Sequence, residues 1–319
     1  MADADDRIYN NLKLPNLILD QYSVRFGTEF TYYRPILLSN RRKWKYIGIL
    51  HECLQYIGDI PSQTKIDGDY YFGIGTFGSR SKDPNKYLKD ANLLEQAFEI
   101  EEDKTLRGRY AFYCAQSYLD ADETNKAVDW YLKVLILDNW VQEKYYACLK
   151  LGFLYKKLGD GDKMIEFWTT AYKYDTERVD CVTYLMEYFY NKGNHFMVNA
   201  LHTKCKNYNM KNPETKLFLL THTYDTFEYL NSISAFYVGD FVSGYESCKK
   251  LFERKAYLEI TIQNLRFYDK QMDIDTDDNI VALYSDIDNI RTDTDINSKF
   301  EEKTPDILRS IWERLFKKI

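Results

Sequence analysis

The chain lacks any stretch of about 18 uninterrupted apolar residues, so no segment reads as a membrane-spanning helix. Its opening residues, Met1-Ala2-Asp3-Ala4-Asp5-Asp6, are acidic where a secretory leader is basic and then apolar, which speaks against a leader of the usual kind. Basic excess is missing as well. The net charge of −6 argues against wrapping of a phosphate backbone, and no nucleic-acid partner is expected. The densest basic run, Arg41, Arg42, Lys43 and Lys45, is broken by Trp44 and reads as the solvated rim of a strand. The six cysteines, Cys53, Cys114, Cys148, Cys181, Cys205 and Cys248, have no close-spaced framework. They read as reduced core thiols of a cytoplasmic protein. Neither a Gly-x-Ser-x-Gly elbow nor a phosphate-binding loop is present.

What the chain does have is aromatic bulk. Its 319 residues include 29 Tyr against only 6 Pro and 14 Gly, enough apolar material for a folded protein of two ordinary domains. Tyrosine suits packed helices, because the ring is buried while the hydroxyl reaches water or a carbonyl.

Three stretches repeat one pattern at a period of about 34–37 residues. Ala115 and Tyr118 are followed by Ala127, Tyr131 and Val134. Gly152 and Tyr155 are followed by Gly159, Met164, Trp168 and Ala171; Met186 and Phe189 by Gly193, Val198, His202 and Cys205. Small residues let paired helices approach, and a large aromatic fills the gap between neighbours. The pattern resembles the tetratricopeptide (TPR) repeat, which implies a right-handed α-α solenoid over residues 87–268, clearest at 108–141, 145–178 and 179–212. A degenerate fourth unit surrounds Ala235, Gly239, Cys248 and Leu251, and Leu217–Leu230 and Tyr257–Tyr268 read as further helices.

Residues 1–86 read differently. Arg25–Ser39 and Lys45–Leu50 look like strands, and Thr64–Phe77 like a strand pair around an Asp67-Gly68 turn. At the other end, residues 269–303 form an acidic linker, and residues 304–319 a capping helix begun by Thr304-Pro305, with Leu308, Ile311, Trp312, Leu315 and Ile319 on one face.

Several short motifs fail on their context. Gly73-x-Gly75-x-x-Gly78 matches a dinucleotide fingerprint, but the polar loop Ser79–Lys86 follows where a helix must start. Asp273-x-Asp275-x-Asp277 begins like a calcium loop, yet Asp278 stands where glycine is needed and Tyr284 where glutamate is needed. His202 and Cys205 share a helix face without a second pair to complete a zinc site. The repeat alignment places Arg109, Phe112, Tyr113 and Gln116 on the groove, then Tyr146, Leu149, Lys150 and Phe153, then Asp180, Thr183, Tyr184 and Glu187. That mix lacks the basic cluster that clamps a C-terminal carboxylate.

Five ordered features precede the repeats: Asp3-Ala4-Asp5-Asp6; Phe26-Gly27 through Tyr33-Arg34; Trp44 to Gly48 with His51-Glu52; Gly78-Ser79-Arg80 with Lys86-Tyr87; and Arg109 to Tyr113. Together they resemble the second half of a family 2 glycosyltransferase of GT-A fold carrying a TPR tail. The resemblance implies that Asp3 and Asp5 bind Mn²⁺ or Mg²⁺, that Arg80 and Lys86 close on a nucleotide diphosphate, and that Glu52, with His51 beside it, is the general base. In that family the strands that hold the nucleotide base precede the Asp-x-Asp, and here Met1 lies two residues before it. The expected fold is therefore mainly α, a TPR-like solenoid preceded by a small α/β remnant of the transferase domain. Either the remnant is a relic or another chain supplies the missing half. The expected function is protein–protein interaction through a partner in the TPR groove, with no cofactor. The alternative is a metal-dependent glycosyltransferase using a nucleotide sugar.

Overall fold

The computed structural model describes residues 6–27, 32–75, 82–208 and 215–272. Its contacts divide the chain into one unit of residues 1–264 and a second of residues 265–319. Of the second unit, residues 265–272 are described, as the end of a helix. Asp3, Asp5, Arg80, the Asp273-x-Asp275-x-Asp277 run, most of the 269–303 segment and the 304–319 segment lie outside the described residues.

The amino-terminal part is built of strands. They are β1 (Arg7–Asn10), β2 (Gln21–Phe26), β3 (Tyr32–Leu38), β4 (Lys43–Ile47), β5 (Cys53–Ile57), β6 (Gln63–Lys65) and β7 (Tyr70–Gly73). The main sheet runs β1-β7-β2-β3, with β6 also on β2. β2 alternates strictly, sending Tyr22, Val24 and Phe26 inward, as a half-buried strand should. These meet Ile66, Tyr70 and Phe72, and Leu12, Leu19, Ile36 and Leu37 close the cluster. β4 and β5 form a separate antiparallel hairpin.

Two expectations change here. The Thr64–Phe77 stretch is not a hairpin: β6 and β7 both run parallel to β2, with Ile66 donating its N–H to Ser23 O between them. Both Ile66 and Tyr70 are needed in the core, so the chain kinks at Asp67-Gly68 and continues in the same direction. And no α-helix precedes Lys86 among the described residues, so this part is a small sheet region rather than an α/β one.

From Lys86 onward the chain is helical: α1 (Lys86–Ile100), α2 (Lys104–Asp120), α3 (Thr124–Ile136), α4 (Val141–Lys157), α5 (Gly161–Tyr174), α6 (Asp180–Asn191), α7 (His195–Cys205), α8 (His222–Tyr237), α9 (Phe241–Glu253) and α10 (Leu258–Met272). Each helix from α1 to α8 packs on the next, and α6 also packs on α8. Three-residue turns join α2 to α3, α4 to α5, α6 to α7 and α8 to α9. Connections this short make antiparallel pairs.

Three of these turns are chemically alike. Gly159, Gly193 and Gly239 adopt φ of 80°, 69° and 77°, a left-handed conformation that glycine takes without steric cost. The next residue, Asp160, Asn194 or Asp240, caps the following helix by accepting from the N–H of Lys163, Met197 or Ser243. Gly152 serves a different need. A Cβ there would overlap the indole nitrogen of Trp168, so its absence lets α5 seat the ring against α4. Trp168 is fully buried, and its indole N–H donates to Leu149 O at 3.1 Å.

The repeat positions read from the sequence form the interior of these pairs. Tyr118, Tyr131, Val134, Met164, Trp168, Ala171, Met186 and Val198 are all buried. The one misplaced helix start is at Leu217. α8 begins five residues later, at His222, because Leu217 and Phe218 are engaged by groups from α4 and the α5–α6 connection. No described helix is long and apolar enough to cross a membrane.

Candidate functional site

The residues assigned to the first helices of the pairs converge on one groove. Gln116 of α2, Tyr146, Leu149, Lys150 and Phe153 of α4, and Tyr184 of α6 line a cavity of about 480 Å³, with Phe218 and Leu220 as its remaining wall. The rings interlock along it. Phe153 meets Tyr184 edge-on at 4.6 Å, and Tyr146 meets Phe112 at 6.0 Å and Phe218 at 4.9 Å. Lys150 lies over the Tyr146 ring at 5.1 Å. Burial pushes the Lys150 ammonium down and Asp120 pushes it back up. Burial raises the Glu187 carboxyl, with Lys156 opposing.

Apart from half-buried Glu187, the other residues assigned to the groove are engaged by the protein itself. At the α2 end, the β4–β5 turn sits on the helix. Arg109 donates from Nε and Nη2 to His51 O at 2.8 and 2.6 Å, and the His51 ring stacks on Tyr113 with centroids 4.0 Å apart. His51 has φ of 51°, a strained value for a residue with a Cβ, held by these contacts. At the α6 end, Asp180 and Thr183 are fully buried. Thr183 Oγ1 donates to Val179 O and Thr223 O, and Asp180 is paired with Arg178.

That pair anchors an extensive buried polar network. Arg178 is fully buried and donates to both carboxylate oxygens of Asp180. It also lies 3.9 Å over the Tyr145 ring, whose hydroxyl donates to Asp180 Oδ1. Burial alone would lower the guanidinium pKa; Asp180 and Tyr145 outweigh it and hold the charge. Arg178 has donors to spare, and they go to main chain: Nη1 reaches Leu217 O at 2.7 Å and Nη2 reaches Phe218 O at 3.4 Å. Gln142 Oε1 accepts from Arg178 Nη1 and from the Leu217 N–H. Lys216 pairs with Asp175 at 2.7 Å and with Glu177 at 2.8 Å. The segment Lys216–Leu220 is thus gripped through its backbone and its basic side chain, and Phe218 adopts φ of 49° as it turns onto Tyr146.

Of the residues singled out for transferase chemistry, His51, Glu52 and Lys86 are among those described. His51 and Glu52 stand exposed on the β4–β5 turn. Lys86 is the first residue of α1, over the ring of Tyr87 at 5.1 Å. Among the described residues, no group of three or more His, Cys, Asp or Glu side chains is arranged to hold a metal ion.

A second buried cluster has the residue types of a hydrolytic triad. His202 Nε2 is 2.9 Å from Glu228 Oε2 and 3.3 Å from Ser247 Oγ, and Ser247 Oγ donates to the same Glu228 oxygen at 2.8 Å. A triad needs serine and carboxylate on opposite ring nitrogens. Here both face Nε2, Nδ1 is buried without a partner, and the serine is fully enclosed. The cluster instead ties α7, α8 and α9 together. Burial would push the Glu228 carboxyl up, but bonds from His202 and Lys250 override it and hold it at about 2.

The groove residues from α2, α4 and α6 follow from the repeat alignment. The Lys216–Leu220 wall does not. Its one sequence trace is spacing: Gly159 and Gly193 are 34 residues apart, whereas Gly193 and Gly239 are 46 apart. Comparison with known proteins adds no relative: no family model matches the chain, and no curated protein matches it.

Proposed function

We propose that this protein is a TPR-like interaction module that binds an extended peptide segment of a partner protein in the groove formed by α2, α4 and α6. The observation that carries this reading is that the groove already grips main chain that is neither helix nor strand. Arg178 and Gln142, held rigid in a buried network, engage successive backbone groups of Leu217 and Phe218, while aromatic rings receive a side chain. Backbone capture combined with side-chain pockets is how proteins bind peptides of extended conformation. The open part of the groove, between Phe218 and Tyr184, has an apolar floor and polar groups at its edge, the common make-up of a ligand site. A cytoplasmic setting belongs to the same proposal, supported by five buried cysteines.

Selection from a displayed library of random peptides against the full chain tests this. The expected result is a set of peptides whose affinity falls about tenfold or more with Phe153→Ala or Tyr184→Ala, a loss of about 1.4 kcal/mol. Peptides that bind equally well to both variants, or no enriched peptide at all, would reject the groove as the binding surface.

A further inference from the structure

We infer that the Lys216–Leu220 segment is an internal ligand, and that the partner's segment competes with it by carrying the same chemistry: a basic residue followed by a short apolar run with an aromatic near its centre. This rests on the groove reading above and adds to it the kind of sequence recognised.

The segment's own contacts define four requirements. Its lysine sits between two carboxylates, Asp175 and Glu177, so a cation is needed at that position. The next two carbonyls are taken by Arg178, so the main chain must present two successive carbonyls to one guanidinium. The Phe218 ring lies edge-on to Tyr146, which favours an aromatic there. Leu219 is 2% exposed, and Leu220 lines the remaining cavity, so aliphatic residues must follow.

The segment is also built to be replaced. It is neither helix nor strand, whereas α7 and α8 on either side of it in sequence are regular. Phe218 carries a left-handed backbone, which a residue with a Cβ adopts at a cost. Its grip comes from receptor groups that would serve any main chain: the Arg178 network is fixed by Asp180, Tyr145 and Gln142, none of which belongs to the segment. Release of the segment relieves that cost. The wild-type protein then binds its partner with an affinity reduced by the fraction of molecules in which the segment is lodged.

The test uses the full chain and a synthetic peptide of residues 215–222, Thr-Lys-Leu-Phe-Leu-Leu-Thr-His, acetylated, amidated and fluorescently labelled. In one variant Lys216→Gly, Leu217→Ser, Phe218→Gly, Leu219→Ser and Leu220→Gly are made together, preserving length. If it retains the wild-type helical circular dichroism, it should bind the peptide saturably and at least about tenfold tighter than wild type does. Peptide analogues with phenylalanine replaced by alanine, or lysine by glutamate, should each bind about tenfold more weakly. A folded variant that binds no tighter than wild type overturns the inference. Native-state hydrogen exchange on the wild-type chain provides a measurement free of mutation. The Leu217 to Leu220 amides should open at least about tenfold faster than those in the middle of α4; equal protection also overturns the inference. Peptides selected from the library that depend on Phe153 and Tyr184 but lack this pattern would remove the inference and leave the groove reading standing. An absence of any groove-dependent peptide removes both.

Discussion

Gly152 and Trp168 offer a double-mutant cycle whose outcome the structure dictates. The Trp168 ring is fully buried against α4, edge-on to Phe153 at 5.3 Å and 5.8 Å from Tyr184, with its N–H bonded to Leu149 O. Trp168→Ala empties that space and strips a partner from a carbonyl, a loss of about 3–5 kcal/mol. Gly152→Ala acts from the other side. Its new methyl would overlap the indole, and because the ring is wedged between Phe153 and Tyr184, the strain is about 3 kcal/mol. The helix gains about 1 kcal/mol from replacing an interior glycine, leaving a net loss of about 2. With Trp168 already alanine, the overlap is gone and only the helical gain remains. Gly152→Ala should then stabilise by about 1 kcal/mol, a coupling of about 3 between the two sites. Urea titrations followed by circular dichroism at 222 nm, on wild type, both single variants and the double, measure this directly. If Gly152→Ala costs the same in both backgrounds, within about 0.5 kcal/mol, the close approach of α4 and α5 is not as described.

Two further predictions follow from the capping turns and the buried carboxylate. Asp160→Ala removes the acceptor for the Lys163 N–H and should cost about 1 kcal/mol, whereas Asp160→Asn should cost little; equal losses in thermal melts would argue against capping as the cause. The Glu228 carboxyl, held at about 2 against an ordinary 4.5, contributes stability that is full above the ordinary value and is lost as pH falls toward about 2. The wild-type chain should therefore lose about 1–3 kcal/mol more than Glu228→Gln between pH 5 and pH 2.5, in denaturant titrations at each pH. Parallel pH profiles would show that the His202 and Lys250 bonds do not stabilise the charged form.

The helical pairs were legible because their requirements are local. Spacing of small and aromatic residues, and a glycine after three of the four first helices, depend on helical period and on turn conformation, both written within a few residues. Tyr118, Trp168 and Met186 could be placed in the interior on that ground alone, and the groove positions of α2, α4 and α6 followed from the same register. The pairing of β6 and β7 could not be read in this way. An Asp-Gly step allows a reversal, but whether the chain reverses depends on which strand its neighbours bond to, and β2 lies more than forty residues earlier.

Amino-acid order by itself determined where most of the described helices form, which faces they bury, and that six well-spaced cysteines lack a close-spaced disulfide framework. Only tertiary structure decided which groove positions stay open. Arg109 and Tyr113 have the look of ligand-binding residues, and they hold the β4–β5 turn. Asp180 and Thr183 were expected on the groove and are fully buried, Thr183 bonding to Thr223 O and Asp180 to Arg178. Leu217 has a helical neighbourhood and a helical propensity, yet its carbonyl goes to Arg178, 39 positions earlier. A buried guanidinium with one carboxylate partner has donors left over, and leaving them unpaired costs more than a turn of helix contributes. That balance depends on groups brought together from α4, the α5–α6 connection and the segment before α8, so no local pattern could express it.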